Sequence, residues 1–289
     1  MILRLTFVIL SLAGFIRAEP LERIEGCSLV PTDWADGDSF LVRIPEGKEE
    51  LTVRLYGVDC IETRASDDSD ARRLRAQRRY FGISDHGGTP QASIDAAKAW
   101  GKKATVRTRE LLAKPFTLHT ARADARGDGK HARIYGFITT AEGKDLAAQL
   151  VTEGLARAYG VYRETPDGLS RDDWKEELAD LEFQAANRRA GIWKLTDWDR
   201  LPEERRIERA EEAELKIAID GAQAEQGSIN PNTAARDELM KLPGIGEVTA
   251  NRIIEGREDG KYQTAEDLQR VNGIGTKTLE RITPFLTFE

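Results

Sequence analysis

Histidine, cysteine and basic excess are all scarce in this chain, and each shortage removes a class of function. Only three histidines occur, His86, His119 and His131, with no paired spacing, so a zinc site lacks its usual ligand set. Two cysteines, Cys27 and Cys60, are too few for a disulfide-framework fold. One bridge between them would close a loop of about 33 residues, and two buried thiols are the alternative. Lysine and arginine number 43 against 50 acids, for a net charge of −7 and a sequence pI near 5.3. A basic surface of the kind that binds nucleic acid non-specifically is therefore not a property of the whole chain, although a local phosphate site can sit on an acidic protein.

Long hydrophobic runs are missing too. The longest, Leu5 to Ile16, follows Arg4 and precedes Ala18 and Glu19. As a helix it would reach only about 18 Å against a hydrocarbon core of about 30 Å. It predicts a secretory signal peptide over 1–18, export to the periplasm or beyond, and no stable membrane association. No sequence feature names a protein partner.

The 289 residues as a whole are 40% hydrophobic and 32% charged, and the part beyond the first 18 is long enough for two globular domains. β-type runs stand at 27–35, 39–44 and 51–58, separated by the turn chemistry of "DGD" and "PEGKEE". A helix starting near Asp95 follows, then the strands "FTLHTA" and "ARIYGFITT". The run "KDLAAQLVTEGLA" has helical spacing. A last helix spans about 172–189, capped by Ser170 and Asp173, with Gly191 suiting its end. Five short strands with helices between them predict a small barrel with helices packed on it.

Residues 197–227, dense in Glu and Arg, read as a solvated helical spacer laced with ion pairs. Residues 228–289 contain a repeat. "LMKLPGIGEVTANRII" and "LQRVNGIGTKTLERIT" align without a gap at a period of 29 residues. Each copy reads as helix, Gly-Ile-Gly hairpin, helix.

The chemistry gathers around "DGD" (36–38) and "VRLYGVDCIET" (53–63). If the sheet sets these turns side by side, Asp36, Asp38, Asp59 and Glu62 converge, at a cost that a cation or bound protons must offset. Hard oxygens favour Ca²⁺ or Mg²⁺ over zinc. Arg54 leads to Asp59, and Arg133 opens a later strand; guanidinium matches phosphate bidentately. Carboxylates, a divalent cation and arginines together fit phosphodiester hydrolysis. A solvated acidic surface is the plainer alternative.

The ordered set "DGDSFLVRI", "VRLYGVDCIET", "HARIYGF", "GKDLAAQLVTEGLARAYGVY" and "RRAGIW", over roughly 23–196, resembles the staphylococcal nuclease (thermonuclease-like) family. The resemblance implies an α+β chain whose residues 19–196 form an OB-fold five-stranded barrel with three helices. It also implies calcium-dependent cleavage of the 5′ P–O bond of DNA, with RNA open as a second substrate, leaving 3′-phosphate ends. By motif, Asp38, Asp59 and the backbone carbonyl of Cys60 resemble the calcium ligands, with magnesium less favoured. Asp36 resembles the nearby water-linked acid. Glu62 resembles the general base or positioning acid, and Arg54 and Arg133 the two phosphate-binding arginines.

Some positions depart from the family pattern. Ser39 stands for threonine, Cys60 for threonine or alanine, and Ile61 for a frequent proline, which predicts a less rigid turn at Glu62. "HAR" replaces the more usual "YGR" before the late strand. About residues 64–94 are inserted, with "ARRLRAQRRYFG" reading either as an electrostatic arm with aromatics for stacking or as a solvated helix paired with "SDDSD".

The tail resembles the tandem helix-hairpin-helix domain of competence-type DNA receptors, a small all-α module. That implies a grip on DNA backbone through Gly244, Ile245, Gly246, Gly273, Ile274, Gly275 and Lys277, with backbone N–H groups at helix N-termini facing phosphate. Its eight lysines and arginines against ten acids are unfavourable for such a grip, which must then work through backbone amides. A non-catalytic DNA-binding or DNA-uptake protein with a degenerate barrel is the alternative function, and a protein-interaction scaffold is a third.

Overall fold

A computed structural model describes residues 20–45, 49–125, 132–222 and 229–288. The signal-peptide reading at 1–18 and the ends of the spacer at 223–227 lie outside them.

Five strands close a barrel: β1 (Glu22–Val30), β2 (Ser39–Arg43), β3 (Glu50–Leu55), β5 (Phe116–Thr120) and β6 (Ile134–Thr139), in the order β1-β2-β3-β6-β5. The strands β3 and β6 run parallel, and the other pairs antiparallel. Alternation along the sequence drives closure. Phe40 and Val42 on β2, Val53 and Leu55 on β3, and Leu118 on β5 point inward and are buried. This is the expected OB-like barrel.

The predicted strand 51–58 is in fact two. Gly57 adopts a φ of +74°, and the chain leaves the barrel there. The next three residues, β4 (Val58–Cys60), pair antiparallel with β7 (Ala156–Ala158). That pairing also corrects the helix expected across 144–156. The helix, α3 (Leu146–Thr152), is capped by Asp145 and stops before Gly154 so that Ala156–Ala158 can reach β4.

The helix expected to start near Asp95 begins earlier, as α2 (Pro90–Leu111). Thr89 caps it by accepting from Ala92 N–H at 3.1 Å, and Pro90 suits its first turn. The final helix of the barrel domain, α4 (Arg171–Asn187), begins at the Ser170 cap as read from sequence. Helices α2, α3 and α4 pack around the barrel core.

The inserted stretch holds α1 (Asp68–Tyr80), capped by Asp67. Its pairing with "SDDSD" holds at Arg73, which meets Asp70 at 2.6 Å, but the helix is not solvated all round. Its arginines are mostly engaged elsewhere: Arg78 bonds Ser93 Oγ and the Ser84 carbonyl, and Arg79 pairs with Glu208 and Glu211. Those glutamates belong to α5 (Leu201–Ala222), so the first half of the spacer is a packed helix lying on α1. Glu204 is buried and accepts from Ser84 Oγ at 2.7 Å. Arg206 and Glu203 supply an ion pair along the helix.

The tail is all helical: α6 (Arg236–Leu239), α7 (Glu247–Gly256), a short turn at Glu266–Arg270, and α8 (Thr276–Ile282). The repeat seen in sequence is a repeat in packing. Leu239 and Leu268, Leu242 and Val271, Ile245 and Ile274, and Ile253 and Ile282 are all buried. Hydrogen bonds tie the tail to the barrel domain: Tyr56 donates its hydroxyl proton to Glu258 at 2.8 Å, and Tyr162 N–H donates to Glu255 at 2.9 Å. Arg163 pairs with Glu258 at 2.9 Å. Among the described residues, no helix is long and apolar enough to cross a membrane.

Candidate active site

The carboxylates of the two turns meet where β2 begins and β4 ends. Asp36 Oδ1 accepts from Asp38 N–H at 3.1 Å and Ser39 N–H at 2.6 Å, which folds the Asp-Gly-Asp turn onto itself. Asp38 is 2% exposed; its Oδ2 accepts from Cys60 N–H at 2.6 Å, and its Oδ1 from Ser39 Oγ at 3.1 Å. That single side chain links the two turns, and it gives Ser39 a use that a threonine hydroxyl would equally fill.

Arg54 stands opposite Ser39 on the neighbouring strand. Its Nη2 donates to Asp59 Oδ1 at 3.0 Å, and its Nη1 lies 3.8 Å from Asp38 Oδ1. Asp59, 5% exposed, receives two further donors on Oδ2: Arg157 Nε at 2.9 Å and Gln77 Nε2 at 2.8 Å. Burial raises the Asp59 carboxyl, but Arg157 and Arg54 outweigh it and hold the group below the usual carboxylate range. Asp36 goes the other way. Burial pushes it well up, and the nearby charges of Asp38 and Glu62 add to that. Glu62 is also raised, first by burial, with Arg73 opposing from 2.6 Å. The Cys60 thiol is raised well up by burial and the surrounding acids, so it stays protonated, and Cys27 and Cys60 are both free and buried.

Arg133 immediately precedes β6, whose Ile134 and Tyr135 lie beside Val53 and Arg54 in parallel register. The charges of Arg54 and Arg133 both act on the buried Tyr135 hydroxyl. The neighbouring His131 lies outside the described residues.

Ile61 stands at the turn where proline is frequent. It is 2% exposed and anchors a second core with Leu74, Phe81, Ala97 and Trp193. Helix α2 closes in behind it: a Cβ on Gly101 would stand 2.3 Å from the Ile61 carbonyl oxygen, so only glycine allows that approach.

The sequence reading missed Arg157, Gln77 and Arg73. Arg157 stands just past the helix read over 144–156, and its place directly across from Asp59 depends on the β4–β7 pairing. Gln77 did carry a signal, being a polar residue on the inward stripe of α1 between Leu74 and Phe81.

The donor set fits a hard cation in kind. Asp38 and Asp59 are buried carboxylates with the Cys60 carbonyl beside them, an all-oxygen set of the kind a hard cation takes. The four acids do not close into a cage, however. Among the described residues no three acidic, histidine or cysteine side chains gather as a metal-binding group, because Asp59 and Glu62 turn towards Arg157 and Arg73. A cation here would take part of its sphere from water and substrate, as Ca²⁺ and Mg²⁺ readily do.

The hairpins of the tail are built alike. Gly244 and Gly273 have φ of +85° and +105°, a region that excludes most side chains. Gly246 and Gly275 are the N-caps of α7 and α8, and neither helix start has a side-chain cap. Ile245 and Ile274 point into the core. Gly273, Gly275 and Lys277 are exposed, whereas Gly244 is buried.

A closed five-stranded barrel bearing an acid–arginine turn, followed by a repeated glycine hairpin between short helices, defines a two-part chain of a nuclease-like domain and a DNA-binding motif. Residues 52–195 match the family model described as staphylococcal nuclease homologue, and residues 224–287 that described as helix-hairpin-helix motif. The chain thus carries a staphylococcal nuclease homologue domain followed by a helix-hairpin-helix motif. ComE operon protein 1 of Bacillus subtilis (strain 168) is similar to the second part, 43% identical over 60 residues, which are 20% of this chain and 29% of that protein. Endonuclease/exonuclease/phosphatase family domain-containing protein 1 of Homo sapiens is 43% identical over 58 residues, 20% of this chain and 10% of its own length. The chain therefore spans less than a third of either relative.

Proposed function

We propose that this chain is an exported, calcium-dependent nuclease that hydrolyses phosphodiester bonds of DNA with little sequence specificity, leaving 3′-phosphate ends, with RNA as a second candidate substrate. One observation carries the reading: the segment 54–62 delivers Arg54, Asp59, the Cys60 carbonyl and Glu62 to the buried Asp36–Asp38 turn. Asp38, Asp59 and the Cys60 carbonyl would hold the cation, which when bound neutralises the acids and polarises a phosphate oxygen. Glu62 orients a water molecule and takes its proton as the new P–O bond forms. The 5′ P–O bond breaks, and the 5′ oxygen leaves with a proton from solvent. Arg54 and Arg133 neutralise charge on the phosphate as it becomes pentacoordinate. The hairpins hold the DNA backbone without reading bases, and linkage of the two parts raises the local substrate concentration.

A non-catalytic DNA-binding or DNA-uptake protein is the second reading. The ties of Asp59 to Arg157 and of Glu62 to Arg73 favour it, since both engage groups that catalysis needs. Digestion of plasmid and single-stranded DNA by the full chain separates the two. The assay is run with calcium, magnesium or chelator, beside Glu62→Gln, on medium, periplasmic and cytosolic fractions. Exported, calcium-dependent cleavage that Glu62→Gln lowers about 10²–10⁴-fold supports the nuclease. DNA retarded but uncut under every condition leaves the binding protein.

A further inference from the structure

Helix α1 has no counterpart in the barrel pattern, yet its inward face ends on the candidate site. Gln77 is 0% exposed. Its Oε1 accepts from Glu62 N–H at 2.9 Å, and its Nε2 donates to Asp59 Oδ2 at 2.8 Å and to the Cys60 carbonyl at 2.9 Å. The amide orientation follows from chemistry. A backbone N–H only donates, and a carbonyl only accepts, so a flipped amide would set N–H against N–H and oxygen against oxygen. Both protons of the amide are therefore used, and one small side chain ties residues 59, 60 and 62 together.

One helical turn earlier, on the same face, Arg73 Nε donates to Glu62 Oε1 at 2.6 Å, and its Nη2 donates to Asp70 at 2.6 Å. The inserted helix thus holds the backbone of the turn through Gln77 and its carboxylate through Arg73. A buried amide with every proton matched is costly to replace by an apolar group, because its partners are left unsatisfied. Here those partners are two of the three atoms assigned above to cation binding and the amide of the assigned base.

We propose that Gln77 is a positioning residue for hydrolysis, borne by the inserted helix, which fixes the Asp59 carboxylate, the Cys60 carbonyl and the Glu62 backbone relative to one another. The proposal rests on the nuclease reading for its consequence in catalysis, but its geometric content can be read without a cation or substrate.

The test compares the full chain with Gln77→Leu and, as a control for loosened packing of α1, Leu74→Ala. Leu74 lies on the same helix and in the second core, and it is not among the bonding partners of the turn. In cation-free protein, Gln77→Leu is expected to speed amide hydrogen exchange across residues 59–62 at least tenfold relative to the control. Calcium affinity, measured by titration calorimetry, is expected to fall about 10–100-fold. For plasmid DNA, kcat falls with KM nearly unchanged, since the phosphate-binding arginines and the hairpins are untouched. Unchanged exchange at Glu62 in Gln77→Leu overturns the proposal. Equal effects from Leu74→Ala also overturn it, because they reduce Gln77 to a packing role. If the unaltered chain binds no calcium while the exchange effect is present, the positioning role stands and the calcium reading fails.

Discussion

The turn at 57–62 and the two glycine hairpins are both suited to a phosphate, but by opposite means. At the turn side chains and their charges dominate, drawn from five elements: β2, β3, β4, α1 and β7 converge on Asp59 and its neighbours. At the hairpins backbone dominates, with glycine N-caps and no capping side chain at α7 or α8. Charge held away from water stabilises developing charge strongly and so suits a reaction. Bare N–H groups at a helix start bind an anion without distinguishing its ground state from its transition state, and so suit a grip. The two hairpins also differ from each other. The first has a carboxylate, Glu247, at its helix start, paired with Arg236 at 3.2 Å, and its Gly244 is buried. The second has Thr276 and Lys277 there, in the open. The first hairpin is partly committed within the protein, and the second faces solvent.

The contrast between reaction and grip breaks most readily at Arg54. Arg54→Lys keeps the charge but loses the fork that reaches both Asp59 and Asp38. Cleavage is expected to fall about 10²–10³-fold, while the dissociation constant for DNA, measured in chelator, changes less than about threefold. A loss of affinity as large as the loss of rate would show that the turn grips as well as reacts, and the division of labour would fail.

The difference between the hairpins is tested by charge at the second. Lys277→Glu is expected to weaken DNA binding about tenfold at low salt and less at high salt, because a phosphate contact releases counterions. The rate at saturating substrate should not change. Lys241→Glu, beside the first hairpin, is expected to cost less. Equal effects, or a larger one at Lys241, would make the first hairpin the main grip.

How much of this was legible in the sequence depended on whether a feature was local. The barrel strands were legible because alternation is a property of neighbours, as in Phe40–Val42 and Val53–Leu55. The hairpin repeat was legible because both copies stand in the same chain. The acids and Arg54 stood within short motifs that carried a family resemblance. Arg157 was not legible, since it faces Asp59 only after Gly57 turns the strand out of the barrel and α3 stops short at Gly154. Those are decisions of tertiary pairing that override a helical pattern. The packing of the inserted helix was hidden for a related reason. Its charge pattern looked solvated because Glu208 and Glu211, the acids that hold Arg79, lie more than a hundred residues away. The burial of Ile61 against Leu74 and Trp193 is likewise visible only in three dimensions.

The smallest expected effect concerns whether the two regions behave as one body. Glu255 of the tail accepts from Tyr162 N–H of the barrel domain, and burial pushes its carboxyl up to about 7, with Arg171, Lys175 and Arg252 opposing. Below about pH 4.5 the group is protonated in both folded and unfolded chains and contributes no pH dependence. As pH rises from there to about 7, the unfolded chain releases the proton while the folded chain keeps it, so stability falls; above about 7 the decline levels off. Partial access to water and the nearby cations limit the effect to about 1 kcal/mol, or roughly 2–4 °C in Tm for a chain of this size. Glu255→Gln keeps an acceptor for Tyr162 N–H and removes the titration. The difference in Tm between the full chain and this variant should therefore change between pH 5 and 8 and be constant above that. Parallel curves would mean that Glu255 meets water freely, and that the tail is joined to the barrel domain more loosely than the hydrogen bonds of Tyr56 and Tyr162 and the ion pair of Arg163 require.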